Sequence, residues 1–465
     1  MLKLFLLTTL LLPILSLKSP APPTSPHTSP TVSILGPPST PTVWTHFASL
    51  QTPQTLNLGQ GYPSSSPPKF CLDSLKESIE SSSRIHQYTA SAGHPPLVSQ
   101  LCQRYSNHLS YPVTSDNVAI TVGASQSLYL CLQTLINPGD EVLIFEPYFD
   151  LYINQIKLSG GTPIPVPLDY KLNPLTGCKE WLLNPSTLKS KITSKTRCLI
   201  FNSPHNPTGK VFTHSEMSSI STIISPHEQI TVLSDEVYKY IIHSPPSSNP
   251  STSPPGHFHF SNYLPERTIT ISSAGKTFSS TGWQVGWSVG PKNLIEPIKQ
   301  ILPYVQFCTS SLMQDALARA LPLADQVYSY EGKEYDSYYD YLREGYIEKR
   351  DTLILALEKA GFDVPDYSKV SGGGFFVLAG ITDSVKSRIP TEYLKGNTVD
   401  WGLCEYFIKE VGVGMIPSSP FFGEGRREEG EKWVRVAFCG EVEDIEEAGR
   451  RIRCKEAGEV ESCET

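Results

Sequence analysis

The chain has 465 residues, of which 39% are hydrophobic and 10% aromatic, and it carries a formal net charge of −8. This length is enough for one large domain and a smaller one, and the composition is that of a soluble globular protein. The charge lacks the basic character that nucleic-acid binding requires, and the ten cysteines include no C-x-x-C pair, so neither a nucleic-acid partner nor a zinc site is expected.

The N-terminal residues differ in composition from the rest of the chain. MLKLFLLTTLLLPILSL combines an early lysine with an apolar run too short to span a bilayer comfortably, and a Ser/Thr/Pro-rich tract follows it. No arginine precedes Arg84 and no acidic residue precedes Asp73. We interpret residues 1–43 as a targeting-like segment and linker outside the fold, without stable membrane insertion. A plastid or secretory signal is one interpretation, and a cytoplasmic protein with a misassigned gene start is the alternative.

From about residue 76, β-rich runs alternate with helical segments. NVAITVG predicts a strand and ASQSLYLCLQTLI a helix, closed by the turn NPGD. Thr213, with Glu216 three residues later, predicts a capped helix start. Strands separated by helices predict a mostly parallel sheet covered on both faces. The other strands predicted in this part are EVLIFEP, TPIPVPL, RCLIFNSP, QITVLSDE, TITISSAG and WSVGP.

The C-terminal part of the chain predicts a second, smaller unit. GKEYDSYYDYLREGYIEKRDTLILALEKAG predicts a long helix that leads into it, and GGGFFVLAGI, VGVGMIP and WVRVAFCG predict its strands. Before it, the Pro/Ser-rich tract HSPPSSNPSTSPPGH predicts a surface insertion. The expected fold class is α/β, a large domain with a mostly parallel sheet sandwiched by helices and a smaller α+β domain. The large domain is predicted for residues 76–325, and the small domain for an N-terminal segment, 44–75, together with the linking helix and C-terminal part, 326–465.

Three polar clusters follow predicted strands, where open α/β sheets bind ligands. NSPHNPTGK holds Asn206 in a rigid turn, SDEVY puts Asp235 at the end of an apolar strand, and SSAGKTFSSTGW puts Lys276 after another. A carboxylate or an amine that is buried there costs desolvation energy unless it has a partner. Each has a plain alternative by itself: an Asn-Pro turn, a helix cap and a solvated loop lysine. Together with Tyr238 they predict one site at this edge of the sheet.

In this order and at these intervals, the three motifs resemble the fold-type I, class I and II aminotransferases, which use pyridoxal 5'-phosphate. The resemblance extends to LNLGQGYP, QYTASAGHPPL, EPYFDLY and VRVAF, and it covers roughly residues 44–450. Within the family, the sequences of these motifs resemble most those of the kynurenine aminotransferases, also known as glutamine transaminase K or cysteine-S-conjugate β-lyase. The resemblance implies that an aromatic or sulfur-containing L-amino acid (kynurenine, glutamine, methionine or phenylalanine type) exchanges its amino group with a 2-oxo acid.

The resemblance also implies roles for the motif residues. Lys276 would form the Schiff base with pyridoxal phosphate and then move the substrate's α-proton, and its small neighbours would leave the amine room to swing. Asp235 would pair with the pyridinium nitrogen. Tyr238 and Asn206 would hydrogen-bond the ring's 3-oxygen, and Asn206 could also reach the substrate carboxylate. Arg435, in VRVAF, would bind the substrate α-carboxylate through two parallel hydrogen bonds.

Other residues would complete the implied site. VGASQS turns from a strand into a helix, so the amides of Ala124 and Ser125 would hold the phosphate at a helix N-terminus. Phe307 and Cys308 would reach across a homodimer with shared active sites. No metal is expected. The remaining implied contacts are Ser273 and the neighbouring subunit's copy of Tyr88 for the phosphate, Phe149 for the ring face (or, alternatively, for the core), and Gly61, Trp44 and Tyr62 for the substrate.

One position departs from the family's pattern. A lysine or arginine normally follows the GW of the lysine motif and contacts the phosphate, whereas TGWQVGW has Gln284 there. Glutamine can donate a hydrogen bond but brings no charge, so we expect weaker cofactor retention and unchanged chemistry. A smaller departure is Ser125, where the kynurenine branch can carry a tyrosine.

Two other functions stay open on the sequence. A cysteine-S-conjugate β-lyase would use the same Lys276 chemistry but expel a thiol. A non-catalytic pyridoxal-phosphate-binding module, such as half of a regulator, would carry an N-terminal helix-turn-helix domain where this chain has a signal-like segment. We find no convincing second arginine for a dicarboxylate donor, so aspartate is disfavoured. The sequence leaves open the amino donor, the 2-oxo acid, the balance of the two reactions and the compartment.

Overall fold

A computed structural model describes residues 42–243, 257–367 and 372–457, with side chains to residue 453. The predicted targeting-like segment up to residue 41 and residues 244–256 of the predicted insertion lie outside the described residues. None of the described helices is both long enough and apolar enough to cross a membrane.

The strands alternate with helices along the large part of the chain, as the sequence pattern predicts. The strands are β1 (Leu56–Asn57), β2 (Val118–Val122), β3 (Glu141–Glu146), β4 (Thr162–Asn173), β5 (Cys178–Leu183), β6 (Thr196–Asn202), β7 (Thr231–Asp235), β8 (Thr268–Ser273), β9 (Val285–Val289), β10 (Tyr328–Tyr330), β11 (Lys333–Tyr335), β12 (Phe376–Gly380), β13 (Val413–Gly414), β14 (Ile416–Pro417) and β15 (Trp433–Ala437). The helices are α1 (Val43–Ser49), α2 (Lys69–Ser81), α3 (Pro95–His108), α4 (Gly123–Leu135), α5 (Asp150–Leu158), α6 (Pro185–Lys191), α7 (His214–Ile224), α8 (Lys292–Val305), α9 (Ser311–Ala324), α10 (Tyr338–Lys359), α11 (Asp383–Lys386), α12 (Thr391–Leu394), α13 (Val399–Tyr406), α14 (Arg427–Gly430) and α15 (Val442–Ala457).

The large sheet has eight strands in the order β2-β9-β8-β7-β6-β3-β4-β5. All but β9 and β5 run in the same direction, which confirms the expected mostly parallel sheet. Side chains alternate between its faces: Leu143 and Phe201 pack into one buried cluster, and Ile144 and Ile200 into another. The sheet is therefore covered on both sides, and its ligand-binding edge is the one where the parallel strands end.

A smaller sheet of three antiparallel strands has the order β12-β15-β14, so that β15 lies in the middle. The short strand β1 pairs in parallel with β13, which joins the N-terminal segment to the C-terminal part of the chain. This is the smaller α+β unit that the sequence predicts. The boundaries at residues 44–75, 76–325 and 326–465 stay predictions.

Two predicted elements differ from the structure in extent. The long helix predicted from Gly332 begins only at Tyr338, where the Ser337 side chain accepts a hydrogen bond from the backbone N–H of Asp340. The residues before it form the hairpin of β10 and β11, whose turn has positive φ at Glu331 and Gly332. The VGVGMIP segment forms two short strands, β13 and β14, instead of one.

The predicted start of α7 is confirmed in detail. The Thr213 hydroxyl accepts from the Glu216 N–H at 3.2 Å, and the Glu216 carboxylate accepts from the Thr213 N–H at 2.9 Å. These two hydrogen bonds satisfy donors that the helix itself leaves unpaired.

Candidate active site

A cavity of about 450 Å³ lies at the edge where the parallel strands of the large sheet end. It opens between this sheet and residues of the smaller unit. Most of the residues that the sequence predicts for the site line it. They are Trp44, Gly61, Tyr62, Ala124, Ser125, Phe149, Asn206, Asp235, Tyr238, Ser273, Lys276, Gln284 and Arg435.

The parallel strands explain why residues far apart in sequence meet here. Asp235 is the last residue of β7 and Ser273 the last of β8, while Asn206 follows β6 by a short turn. Ala124 lies in the first turn of α4, directly after β2. Because parallel strands end at a common edge, each of these side chains or amides points to the same space.

The side-chain amine of Lys276 lies at the cavity. Its Nζ donates to the carbonyl oxygen of Gly61 at 2.5 Å and lies 5.5 Å from the centre of the Phe375 ring. Burial lowers the pKa of Lys276 to about 8, and nearby Arg435 acts in the same direction. A substantial part of this amine is therefore unprotonated at mildly alkaline pH, which is what a nucleophile or a general base needs.

Asp235 places a carboxylate on the floor of the cavity. Burial raises its pKa to about 6, although hydrogen bonds oppose this effect. Tyr152 donates its hydroxyl to Oδ2 at 2.7 Å, and the Val237 N–H donates to Oδ1 at 3.4 Å. A buried carboxylate held in this way gains from a cationic partner such as a protonated ring nitrogen.

Arg435 lies on the central strand β15 of the small sheet and is 1% exposed. Its Nη2 donates to the Gly59 carbonyl at 2.8 Å and its Nη1 to Asn206 Oδ1 at 3.3 Å. Among the described residues, its Nε has no hydrogen-bond partner. Burial lowers the pKa of Arg435 to about 10. A buried guanidinium with an unsatisfied donor is suited to binding a carboxylate.

Aromatic rings surround the guanidinium and form the apolar wall. Its central carbon lies 4.8 Å from the centre of the Trp44 ring and 4.2 Å from that of Phe376. The indole N–H of Trp44 donates to Asp150 Oδ2 at 2.8 Å, which fixes the ring. Phe149 meets Trp44 edge to face, with ring centres 6.4 Å apart.

The first turn of α4 offers backbone N–H groups to the cavity. Its approach to the sheet depends on Gly286 in β9, because a Cβ there would lie 2.3 Å from the Gly123 carbonyl carbon. The N–H groups of Ala124 and Ser125 lack partners within the helix, and a helix N-terminus favours an anion. Gln284 also lines the cavity, but its side-chain amide donates to the Thr281 carbonyl at 2.6 Å.

Three expected residues lie outside the described lining of this cavity: Tyr88, Phe307 and Cys308. The ring of Tyr88 is 79% exposed and meets that of Phe307 edge to face, with ring centres 4.6 Å apart. Phe307 is 57% exposed. Within one chain these residues therefore form a surface pair, and their reach into a second subunit stays a prediction.

Among the residues that sequence reasoning missed are Tyr152 and Phe376, which line the cavity, and Asp150, which holds Trp44. Tyr152 lies in the quoted EPYFDLY, in the first turn of α5, and its ring meets that of the N-cap residue Phe149 edge to face, with ring centres 5.8 Å apart. Its place in that motif is the signal that could have found Tyr152. Phe376 carried no comparable signal, because its approach to Arg435 depends on the pairing of β12 with β15.

The sequence and the fold of this chain are similar to those of known proteins. The family described as "Aminotransferase class I and II" matches residues 53–452. A kynurenine–oxoglutarate transaminase of Dictyostelium discoideum is 35% identical, with 86% of this chain and 90% of that protein covered. Kynurenine–oxoglutarate transaminase 3 of Homo sapiens is 33% identical, with 88% and 87% covered. The solved structure of YbdL from Escherichia coli, described as having a methionine aminotransferase function, is 26% identical, with a TM-score of 0.76 and 93% and 100% covered.

Proposed function

This chain belongs to the class I and II aminotransferase family and is a transaminase, and we propose that it transfers the amino group of an aromatic or sulfur-containing L-amino acid, of the kynurenine type, to a 2-oxo acid. The relatives named kynurenine–oxoglutarate transaminase and the E. coli structure with a methionine aminotransferase function support this choice of donor. The observation that carries the proposal is the cavity in which the amine of Lys276, the carboxylate of Asp235 and the guanidinium of Arg435 meet.

The residues of the cavity fit pyridoxal 5'-phosphate as the cofactor. Asp235 would hold its ring nitrogen, and Tyr238 and Asn206 would hold its 3-oxygen. The amides of Ala124 and Ser125 point to the cavity from a helix N-terminus and suit a phosphate, with Ser273 and the neighbouring subunit's copy of Tyr88 as further donors and Phe149 against the ring. When bound, the cofactor supplies an electron sink for the negative charge left at the substrate's α-carbon.

Each protein group then has a defined task. Lys276 Nζ would hold the cofactor and would also take the proton from the substrate's α-carbon, which its lowered pKa permits. Arg435 would bind the α-carboxylate, with its unpaired Nε–H as one of the donors, and would orient the Cα–H bond. Trp44, Phe149 and Tyr62 exclude water from the apolar side of the cavity.

The composition of the lining favours a monocarboxylic amino donor. Among the described residues that line the cavity, Arg435 alone carries a guanidinium, and a second substrate carboxylate would need another cation. The aromatic wall of Trp44, Tyr62 and Phe149 suits an apolar side chain. Since the relatives named above are transaminases, cysteine-S-conjugate β-elimination and a non-catalytic binding role are not favoured.

We further propose a homodimer with shared active sites. The exposed aromatic pair of Tyr88 and Phe307 supports it, because large exposed apolar side chains in contact mark an interaction surface. In such a dimer the neighbouring subunit's copy of Tyr88 would complete the phosphate site.

The direct test begins with the absorbance spectrum of the purified protein. Borohydride reduction followed by peptide mapping should locate a stable pyridoxyl adduct on Lys276 and should fail in the Lys276→Ala variant. Absence of the adduct from the unmodified protein would contradict the proposal. Measuring 2-oxo acid exchange with L-kynurenine beside pyruvate release from a cysteine S-conjugate separates transamination from β-elimination.

A further inference from the structure

A second group of ionisable side chains lies buried directly behind Asp235. His259 Nδ1 donates to Glu236 Oε2 at 2.5 Å, and His257 Nε2 lies 3.2 Å from the same oxygen. Ser234 donates its hydroxyl to Glu236 Oε1 at 2.8 Å. We refer to Glu236, His257 and His259 as the Glu236 cluster; all three are at most 2% exposed.

The Glu236 cluster is fixed relative to the active-site carboxylate. Asp235 ends β7 and Glu236 follows it, so the two side chains point to opposite faces of the sheet. The Glu236 N–H donates to the Ile271 carbonyl of β8 at 2.8 Å, and the Asp235 carbonyl accepts from Asn202 Nδ2 at 2.9 Å. These bonds fix the backbone of both residues, while Tyr152 holds the Asp235 carboxylate and the two histidines hold that of Glu236.

Two buried carboxylates on consecutive residues disfavour each other's charge. Burial is the main reason that the pKa of Asp235 is raised, and the negative charge of Glu236 adds to it. For Glu236 itself, burial would raise the pKa, but its interactions with His259 and His257 outweigh it and hold the pKa well below its ordinary range. Burial lowers the pKa of His257 to about 4, so this ring stabilises the carboxylate as a neutral hydrogen-bond donor. Glu236 is thus the carboxylate that stays ionised, and its charge needs compensation if Asp235 is to ionise as well.

The buried side chain of Lys239 also compensates the negative charge of Glu236. Lys239 donates its Nζ to the Tyr105 hydroxyl at 2.7 Å, and Trp287 donates its indole N–H to the same hydroxyl at 2.9 Å. Burial lowers the pKa of Lys239 to about 7. The other titratable groups that act on the two carboxylates or on their partners are Arg104, His108, Tyr111, Tyr152, Tyr238, Tyr240 and Lys276.

We propose that the Glu236 cluster balances the charge behind Asp235 and thereby keeps Asp235 ionised for the cofactor's ring nitrogen. The inference rests on the proposed function, since it concerns the cofactor site. Glu236, His257 and His259 do not belong to the described lining of the cavity, so they are positioning residues that act through Asp235. The same three side chains could also ligate a divalent cation. The hydrogen bonds that already satisfy Glu236 and the buried cation of Lys239 favour charge balance over a metal site.

The test is the pH dependence of pyridoxal phosphate affinity in charge-changing variants. Affinity falls as the pH falls through the pKa of Asp235, because a protonated carboxyl loses its ion pair with the ring nitrogen. Glu236→Gln removes a negative charge and should move this midpoint to lower pH. His259→Gln keeps a hydrogen-bond donor but cannot carry a charge, and should move it to higher pH; each shift should be about half a unit or more. The double variant should return close to the unmodified midpoint, which a merely structural defect would not produce.

A carbon analogue of the cofactor, with CH in place of the ring nitrogen, serves as the control and should lack the midpoint that responds to these variants. If His259→Gln does not fold, Lys239→Met should give the same shift to higher pH. No pyridoxal phosphate binding at any pH would contradict the proposed function itself. Normal binding with unshifted midpoints would overturn this inference alone. Stoichiometric zinc in the purified protein, removable by a chelator, would also overturn it.

Discussion

Gln284 donates its side-chain amide to the Thr281 carbonyl and brings no charge to the first turn of α4. A lysine there would add a positive charge beside the proposed phosphate site. We expect Gln284→Lys to bind pyridoxal phosphate about fivefold more tightly, equivalent to about 1 kcal/mol for one partly exposed charge. Equilibrium dialysis measures this change. Gln284→Met, similar in size but neutral, is the matched control and should not tighten binding; an equal gain in both variants would refute the role of charge.

If Lys276 is the residue that binds pyridoxal phosphate, as proposed, it determines how fast the cofactor-free protein captures it. Only the unprotonated amine attacks the carbonyl, and burial lowers the pKa of Lys276 to about 8. The capture rate should therefore rise with pH through about 8 and level off above it, well below the range of an ordinary lysine. Stopped-flow absorbance from pH 6 to pH 10 measures it, with free Nα-acetyl-lysine as the reference. A rate that follows the reference at every pH would show that the amine is not perturbed.

At the scale of residues, the sequence predicted those site members that sit in motifs at strand ends. Lys276, Asp235 and Asn206 fall there because each ends or closely follows a buried apolar strand, and such apolar runs are visible in the sequence. Asp150 and Phe376 could not be found in this way, because their contacts with Trp44 and Arg435 arise only when distant parts of the chain pack together. The sequence around each of these residues does not indicate such long-range contacts.

At the scale of elements, the pair of hydrogen bonds between Thr213 and Glu216 that caps α7 should make a measurable contribution to the stability of the protein. Thr213→Ala removes the side chain that accepts from the Glu216 N–H, and should lower the free energy of unfolding by about 1 kcal/mol. Thr222→Ala, a change of the same size within the same helix, is the control and should cost less. The midpoint of unfolding in urea reports both losses, provided that the dependence of the free energy of unfolding on urea concentration is the same in the variants. Equal losses in the two variants would argue against a specific cap.

The elements that the sequence predicted well are those with a strong period or a clear cap, such as β2, α4 and α7. The strand β5 was missed, since its residues, CKEWLL, show no alternation of apolar and polar side chains before they pair with β4. The strand β11 falls within the stretch from Gly332 that the sequence predicts as the beginning of α10, because its tyrosine and charged residues suit a helix equally well. In both cases pairing with a neighbouring strand decides the conformation.

At the scale of the whole molecule, the proposed dimer predicts that inactive variants complement each other. A Lys276→Ala subunit lacks the amine, and a Tyr88→Phe subunit lacks the hydroxyl that it would lend to its neighbour. If the site is shared, a mixed dimer contains one site with both groups intact. Mixing the two variants after subunit exchange should restore up to about a quarter of the unmodified activity, as random pairing of two subunit types dictates. Activity no higher than the sum of the separate variants would exclude a shared site.

The hydrogen bond from Arg435 to the Gly59 carbonyl joins residues 376 positions apart. At a synthesis rate of about 5–20 residues per second, the segment that contains Gly59 leaves the ribosome on the order of tens of seconds before β15 exists. During that time Phe47 and Leu58, both buried in the finished protein, lack partners that lie late in the chain: the Trp401 ring, 5.2 Å from that of Phe47, and the Gly414 carbonyl, which accepts from the Leu58 N–H. These apolar side chains of the N-terminal segment therefore stay without those partners for most of synthesis, and the guanidinium proposed to bind the substrate carboxylate joins them only when β15 has been made.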